Sequence, residues 1–235
     1  MKTRLTVIFI CLVSFSWSQA VKPVVLISGK AVNERNMQPV QAKIIYEILP
    51  EGQEAGIQRS NPLNGEYKII LPYGKKYGYY AIAEGYYSVT KNLDVSDLTE
   101  YKEIDEQNLY LAPIEEDQVV RLNNLFFEGR TSVLLKESYP ELDRFVEFLK
   151  INKKLTLELA GHTDNQGKAD DDKKLSLERA QKVADYLISK GIKSDRILVK
   201  GYGQEQPIGF NMSEEGREMN MRVEFKVLTT GIKKS

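Results

Sequence analysis

The spacing of hydrophobic residues changes once along this chain, at the polar segment Pro-Ile-Glu-Glu-Asp of residues 113–117. Before it, short runs rich in β-branched and aromatic residues stand between turn signals such as the Asn-Gly of residues 64–65. Such runs predict strands. They lie at residues 24–27, 42–48, 67–71, 79–83 and 109–111. Because no helical spacing interrupts them, we predict an antiparallel all-β sandwich over residues 21–114.

After residue 117 the pattern alternates between two periods. Spacing typical of an amphipathic helix occurs at residues 139–150 and 175–188, and Gly191 follows the second as a C-terminal cap signal. Strand-like alternation occurs at residues 119–127, 155–160, 197–201 and 223–228. Strands interleaved with helices predict an α/β sandwich over residues 115–235, with helices packed on one sheet. We therefore expect two domains.

The first twenty residues form a separate segment. Lys2 and Arg4 precede an apolar run at residues 5–17, and Ser18-Gln19-Ala20 offers small residues at the positions that a signal peptidase reads. This order is typical of a secretory signal peptide at residues 1–20, with an uncleaved anchor as the alternative. Cys11, the only cysteine, lies inside the apolar run, so we interpret it as part of the signal peptide and not as a lipid attachment site. The mature protein is predicted to be periplasmic.

Charge and composition disfavour several kinds of site. Lys and Arg together number 33, as do Asp and Glu, so no basic excess favours a nucleic-acid partner. His162 is the only histidine, and the mature chain would hold no cysteine, which disfavours metal centres and Ser-His-Asp or Cys-His catalysis. Asp170, Asp171 and Asp172 lack the oxygen spacing of a calcium loop and are interpreted as a solvated entry to a helix. We predict no catalytic residue, no metal and no cofactor.

Tyrosines cluster in the N-terminal half, at positions 77, 79, 80, 86 and 87. We interpret them as residues of half-buried strands with their hydroxyls in water; the alternative is a stacking platform for sugar rings. The surrounding segments resemble the carboxypeptidase regulatory-like domains. They are Ser-Asn-Pro at 60–62, Gly-Glu-Tyr at 65–67, Leu-Pro-Tyr-Gly at 71–74 and AIAEGYY at 81–87. The resemblance implies an Ig-like β-sandwich that serves as a structural module without catalytic residues.

Asp164 and Arg179 form the candidate binding pair of the C-terminal half. Asp164 leaves a predicted strand at the edge of the sheet where α/β folds usually bind ligands. Arg179 follows Leu175 by four residues, so it should face the sheet, and its place early in the predicted helix should favour anions. An Asp and an Arg that flank one cleft suit a zwitterion, since each ligand charge gains a charge-assisted bond. The alternative is an Asp164–Arg179 ion pair that only ties loop to helix.

Five motifs in order make the stretch from about residue 119 to 228 similar to the OmpA-like peptidoglycan-binding domain. They are GHTDNQG at 161–167, LSLERA at 175–180, VADYL at 183–187, KGYGQEQPI at 200–208 and EEGREMN at 214–220. The resemblance implies a mixed sheet with helices packed on it, and a site for the diaminopimelate of the peptidoglycan stem peptide. It implies that Asp164 binds the ammonium group and Arg179 the carboxylate, while Thr163 and the neighbouring backbone shape the pocket.

Two positions depart from the pattern of that family. Asp172 stands where relatives usually have Asn, and the pair of arginines that usually follows Asn220 is reduced to Met221 and Arg222. The resemblance thus places Asp172 and Arg222 in the site as well. An added acid and a lost base should weaken carboxylate binding. Asp172 is alternatively explained as the N-cap of the helix near Leu175, since Asp is among the best N-cap residues.

The sequence therefore predicts a non-enzymatic protein that binds peptidoglycan through diaminopimelate and anchors an envelope protein or complex to the wall of a Gram-negative bacterium. The predicted partners are peptidoglycan and an outer-membrane or envelope protein complex. One alternative is an interaction subunit that docks on a larger envelope complex through its sandwich, with the wall anchor secondary. A cell-wall hydrolase is a further alternative, for which no acid/base pair or metal site is identifiable.

Overall fold

The computed structural model describes residues 24–231. The predicted signal peptide at residues 1–20, with Cys11, lies outside the described residues. Within residues 24–231 no helix is long and apolar enough to cross a membrane. Two sheets organise the N-terminal half of these residues and a third organises the C-terminal half.

Short strands make up the N-terminal half. They are β1 (Val24–Asn33), β2 (Lys43–Leu49), β3 (Gln53–Arg59), β4 (Glu66–Pro72), β5 (Lys76–Ile82), β6 (Tyr86–Tyr87), β7 (Lys91–Asp94), β8 (Lys102–Ile104) and β9 (Leu109–Pro113). Each of the five strands predicted from the sequence is present. The sequence pattern does not predict β3, β6, β7 or β8, which are polar, short or both.

The two N-terminal sheets face each other across one apolar core. Their strand orders are β4-β1-β9-β6, with β8 also beside β1, and β3-β2-β5-β7. Val25 and Ile27 of β1 meet Ile44 and Tyr79 of the opposite sheet in this core. The expectation of a wholly antiparallel sandwich is wrong, because β1 pairs in parallel with β8 and β9. After β7 the chain leaves the second sheet and runs through the first as β8 and β9, both in the direction of β1.

The tyrosine cluster is more deeply buried than the sequence suggests. Tyr77, Tyr79 and Tyr80 are buried, and their hydroxyls do not all remain in water. Tyr77 donates a hydrogen bond to the carbonyl oxygen of Pro72 over 2.9 Å, and Tyr79 donates one to Gln107 Oε1 over 2.9 Å. Burial raises the pKa of Tyr79 to about 12. These three rings are core residues, so both the half-buried interpretation and the sugar platform are wrong for them.

The C-terminal half is a mixed sheet with helices packed on it, as predicted. Its elements are β10 (Val119–Arg121), α1 (Tyr139–Ile151), β11 (Thr156–His162), α2 (Ala169–Ser189), β12 (Ile197–Gly203), α3 (Glu214–Asn220) and β13 (Val223–Thr229), with single 3₁₀ turns at Lys136–Ser138 and Ser194–Arg196. The strand order is β10-β13-β11-β12, with β11 and β12 parallel and the other pairs antiparallel. Phe145 of α1, Val183 of α2 and Phe225 of β13 belong to one core.

Two predicted boundaries in this half are wrong. The strand predicted at residues 119–127 ends at Arg121, because Asn124 adopts a positive φ of 56° that interrupts extended backbone. The helix predicted from residue 175 begins at Ala169, so Lys168 is the N-cap residue and Asp172 is not. Residues 169–174 carry no apolar periodicity, which is why the pattern misses them. The acidic residues there suit the positive end of the helix dipole.

The structure confirms the C-terminal cap of α2 predicted at Gly191. Gly191 adopts a φ of 92°, a conformation that side chains with a Cβ rarely take. Its N–H donates to the carbonyl oxygen of Ile188 over 2.9 Å, and the N–H of Ile192 donates to that of Leu187 over 3.1 Å. This pair of bonds satisfies carbonyl groups that the end of a helix leaves without partners.

The two halves pack against each other. Tyr87 of β6 joins the C-terminal core, where its ring lies edge-on to Phe148 with centroids 5.7 Å apart. Ile114, from the predicted polar hinge, is buried in that same core. Asn152 Oδ1 accepts a hydrogen bond from the N–H of Gly85 over 2.7 Å, and Arg144 of α1 pairs with Glu47 of β2. The C-terminal core therefore includes side chains from the N-terminal half.

Candidate functional site

The end of β11 places two of the predicted site residues. The N–H of His162 donates to the carbonyl oxygen of Arg222 over 2.9 Å, and the N–H of Thr163 donates to that of Gly203 over 2.9 Å. The chain is thus held to both neighbouring strands up to the residue before Asp164. Gly161 lies so close to the backbone of Ser176 in α2 that a Cβ would collide with it. The glycine of the GHTD motif therefore lets α2 approach the strand that carries Asp164.

Asp164 and Asp172 share one cationic partner, Arg130. Its Nη1 donates to Asp164 Oδ1 over 2.7 Å, and its Nη2 donates to Asp172 Oδ1. The Asp164 and Asp172 side chains are 8% and 1% exposed, whereas the Arg130 side chain is 40% exposed. Arg130 lies in residues 128–133, here called the arginine loop, between β10 and α1. A surface arginine thus reaches inward to two buried carboxylates.

Arg179 holds the backbone of the arginine loop. Its Nε donates to the carbonyl oxygen of Thr131 over 2.8 Å and its Nη2 to that of Gly129 over 2.6 Å. The guanidinium also stacks over the Phe127 ring, 4.6 Å from its centroid, and its Nη1 lies 3.7 Å from Met221 Sδ. Burial lowers the pKa of Arg179 to about 10, and the charge of Arg130 acts in the same direction while Asp164 opposes it. These contacts hold the guanidinium of Arg179 in place without neutralising it.

The direct Asp164–Arg179 ion pair, considered as an alternative, is absent from residues 24–231. Asp164 pairs with the side chain of Arg130, and Arg179 binds the carbonyl groups on either side of Arg130. Arg179 faces inward as predicted, since it is only 4% exposed. The expected help from the helix dipole is wrong, because α2 begins at Ala169 and the dipole acts within the first turn.

Arg222, which directly precedes β13, is fixed by a network of polar contacts. Its Nε donates to Glu224 Oε2 over 2.8 Å, and both terminal nitrogens donate to the carbonyl oxygen of Gln206 over 3.2 Å. Glu224 Oε1 lies 3.1 Å from His162 Nε2, and the His162 ring stacks on Tyr202. Burial acts to raise the pKa of Glu224, but contacts with His162 and Arg222 outweigh it and lower the pKa to about 2. His162 is thus a packed residue, as predicted.

An open cleft lies beside the basic residues. Its volume is about 830 Å³, and it is lined by Phe127, Gly129, Arg179, Met221 and Arg222 among others. The carboxylates of Asp164 and Asp172 do not line this cleft. The structure therefore gathers the predicted residues into two groups that meet at the arginine loop. Asp164 and Asp172 form an acidic group, and Arg179 and Arg222 form a basic one.

Arg130, which bridges the acidic group, is not predicted from the sequence. Its only signal is Asp172, because a buried acid in place of the usual Asn needs a nearby base. Glu224, which fixes Arg222 from within β13, is not predicted either. Thr163 lies where it was predicted, directly before Asp164, and its Oγ1 is buried without a hydrogen-bond partner among the described residues.

Comparison with known proteins identifies this half of the chain. Residues 126–221 match the sequence profile of the OmpA family. These residues are an OmpA family domain. The matched range contains Arg130, Asp164, Asp172 and Arg179, whereas Arg222 follows its last residue.

Individual relatives match less than half of this chain each. Outer membrane porin F of Pseudomonas fluorescens is 36% identical over 117 residues, which are 49% of this chain and 35% of the relative. Peptidoglycan-binding protein ArfA of Mycobacterium tuberculosis is 38% identical over 94 residues, or 40% of this chain and 29% of the relative. The chain thus spans about a third of the length of these two relatives. A solved structure, the cell wall anchor of the T6SS from Pseudomonas aeruginosa, is 32% identical with a TM-score of 0.41, covering 46% of this chain and 78% of that one.

Proposed function

We propose that this protein binds peptidoglycan non-covalently through the diaminopimelate of the stem peptide, and so anchors an envelope protein or complex to the cell wall. The ammonium group of the ligand would bind the acidic group of Asp164 and Asp172, and its carboxylate would bind Arg179 and Arg222. Thr163 would line the pocket between them. No covalent step is involved.

The observation that carries this proposal is the meeting of buried acids and buried bases at one loop. Asp164 and Arg179 both bind the segment 129–131: Asp164 pairs with the Arg130 side chain, and Arg179 donates to the carbonyl oxygens of residues 129 and 131. A zwitterion placed there would give each of its charges an opposite charge, in surroundings where such bonds are strong. The similarity to a relative named as peptidoglycan-binding supports peptidoglycan as the partner.

Sedimentation with purified sacculi tests the proposal. The full chain should sediment with sacculi whose stem peptides contain diaminopimelate. Asp164→Ala and Arg179→Ala should each weaken this binding, because loss of one partner of a charge pair costs on the order of 2–5 kcal/mol. Exposed residues of the N-terminal half give matched controls: Asp94→Ala and Arg35→Ala remove an Asp and an Arg that form surface ion pairs.

The outcomes separate the parts of the proposal. Absence of sedimentation by the wild-type chain would refute wall binding. Equal sedimentation with sacculi that carry lysine in place of diaminopimelate would keep wall binding but refute the proposed ligand. Normal binding by folded Asp164→Ala and Arg179→Ala variants would show that the site lies elsewhere. Circular dichroism of each variant establishes that it is folded.

The remaining parts of the proposal concern location and partners. We propose export by the signal peptide at residues 1–20, which N-terminal sequencing of the mature protein tests by a start near Val21. We also propose that residues 21–114 are an Ig-like sandwich of the carboxypeptidase regulatory-like type, followed by the wall-binding domain at 115–235. A pulldown from envelope extracts, after enzymatic digestion has removed the sacculi, tests for an outer-membrane or envelope protein partner.

A further inference from the structure

Asp172 is a buried acid that depends on Arg130. Its carboxylate is 1% exposed, and Arg130 is its only ion-pair partner among the described residues. A carboxylate buried to this degree remains charged only when a cation and hydrogen bonds compensate for lost water. The acid at position 172 and the base at position 130 therefore form a matched pair, although 42 residues separate them.

Arg130 reaches the acidic group from the protein surface and binds it as a free cation would. Its side chain is 40% exposed, and it meets the carboxylates of Asp164 and Asp172 with two different nitrogens. Acceptors remain around it, because Asp172 Oδ2 and Thr163 Oγ1 are buried and have no hydrogen-bond partner within residues 24–231. An ionised carboxylate can accept more bonds than Arg130 donates here. The pocket is therefore not fully satisfied by its present cation.

The arginine loop can keep its backbone in place when the Arg130 side chain leaves. Arg179 holds the carbonyl groups of Gly129 and Thr131 on both sides of it. The N–H of Glu128 also donates to the carbonyl oxygen of Val133 over 2.9 Å, which closes the loop on itself. Displacement of Arg130 thus requires rotation of one long side chain and no rearrangement of the loop backbone.

We propose that Arg130 is the resident cation of the ammonium subsite and that a ligand binds by exchange with it. This inference rests on the proposed function. The ligand ammonium replaces the guanidinium at Asp164 and Asp172, and the displaced guanidinium, still tethered beside the site, pairs with the ligand carboxylate. Arg130 then supplies the base that Met221 does not.

Exchange makes the site selective for zwitterionic groups over plain amines. A plain amine displaces Arg130 from its two carboxylates and gives it no new partner. A group that carries both an ammonium and a carboxylate restores a partner to every charge. Arg130 is therefore a specificity-determining residue, and diaminopimelate is favoured over lysine partly because lysine lacks the second carboxylate.

The first experiment tests the resident cation without any wall fragment. Arg130→Ala should lower the thermal midpoint, because it leaves two buried carboxylates without their cation. Methylguanidinium chloride should restore part of the loss in a saturable manner, whereas sodium chloride at equal ionic strength should not. Arg35→Ala, which removes an exposed arginine, is the control. If Arg130→Ala has the thermal midpoint of the wild type, and methylguanidinium does not raise it, Arg130 is not a resident cation.

The second experiment tests selectivity by isothermal titration. The probes are the tripeptide L-alanyl-γ-D-glutamyl-meso-diaminopimelate and the same tripeptide with L-lysine as its third residue. Arg130→Gln should strengthen binding of the lysine tripeptide by about tenfold, a change that corresponds to 1.4 kcal/mol. Binding of the diaminopimelate tripeptide should change less. Arg130→Gln removes the guanidinium that competes with the ligand ammonium, but it also removes the guanidinium that pairs with the ligand carboxylate. The preference for diaminopimelate should therefore fall.

The results distinguish this inference from the proposed function. A wild-type chain that binds sacculi and the diaminopimelate tripeptide, with a preference that Arg130→Gln leaves unchanged, would overturn the exchange alone. A wild-type chain that binds neither sacculi nor tripeptide would refute the proposed function. The thermal midpoint of Arg130→Ala with and without methylguanidinium would then still test whether Arg130 is the resident cation. Should Arg130→Ala fail to fold, Arg130→Ala with Asp172→Asn removes both members of the pair, and it should fold and bind the lysine tripeptide more tightly than the wild type.

Discussion

Arg179 donates a hydrogen bond to the carbonyl oxygen of Thr131 over 2.8 Å, across 48 residues of sequence. With its second bond to the carbonyl oxygen of Gly129, the guanidinium fixes the arginine loop by its backbone. Carbonyl oxygens carry only partial charges, so the positive charge of Arg179 is not neutralised. One side chain thus holds the loop and also presents a cation to the adjacent cleft, whose volume is about 830 Å³.

Arg179→Lys should separate these two tasks. Lysine keeps a positive charge but lacks the planar fork that reaches two carbonyl groups at once. We expect the free energy of unfolding to fall by about 1.5–3 kcal/mol, the usual contribution of a hydrogen bond that involves a charged group. Urea unfolding measures this, with Arg35→Lys as the control at an exposed arginine. Sacculus binding should weaken as well, and wild-type binding by Arg179→Lys would mean that charge alone is sufficient.

Tyr87 should couple the stabilities of the two halves. Its ring contributes to the C-terminal core from the N-terminal half, in contact with Phe148 and Phe225. Because Tyr87 is only partly buried, Tyr87→Ala should lower the free energy of unfolding by about 2–3 kcal/mol, at or below the lower end of the range for a fully buried aromatic ring. Tyr110→Ala is the control, since Tyr110 is exposed in the same half. A loss equal to that of the control would show that the halves are not coupled through this ring.

Much of the fold could be predicted because burial leaves a periodic trace in the sequence. Helix α1 and strands β12 and β13 each bury one side, strand β11 is buried on both faces, and their apolar residues predict all four to within a few residues. Strand β3 could not be found in this way, because its residues are mostly exposed and polar. The first turn of α2 is missed for the same reason, since its acidic residues follow the helix dipole and not the core.

The candidate site could be predicted only in part. Asp164, Thr163 and Arg179 lie in recognisable motifs, and the structure brings them to one region. Arg130 lies in a loop without periodicity, 34 residues before Asp164, and its role depends on a contact that sequence spacing does not encode. The departure at Asp172 signals that a base is needed but does not say where along the chain it lies.

The free energy of unfolding should fall at acidic pH because Glu224 becomes protonated. Its folded pKa of about 2 is below the ordinary value of 4.5, so its contribution is present above pH 4.5 and is lost as the pH falls towards 2. A depression of this size corresponds to a contribution on the order of 3 kcal/mol. Urea unfolding at pH 7 and pH 3 should therefore show a smaller difference for Glu224→Gln than for the wild type. An identical pH dependence in the two proteins would contradict the role of Glu224 as the partner of Arg222.

The last prediction concerns the two departures from the family pattern. Asp172→Asn removes one of the two carboxylates that hold Arg130, so Arg130 leaves more easily to pair with the ligand carboxylate, while Asp164 remains to bind the ligand ammonium. Met221→Arg adds a base where Met221 Sδ already lies 3.7 Å from Arg179 Nη1. The double variant should bind the diaminopimelate tripeptide more tightly, by roughly tenfold for each 1.4 kcal/mol gained, as isothermal titration would measure.

A matched variant separates this local effect from a change in net charge. Met212 is an exposed methionine of the same domain, so Met212→Arg adds the same charge outside the site. It should leave the affinity of the Asp172→Asn background unchanged, whereas Met221→Arg should raise it. If the double variant binds no better than the wild type, or if Met212→Arg is as effective as Met221→Arg, positions 172 and 221 do not act on the bound ligand.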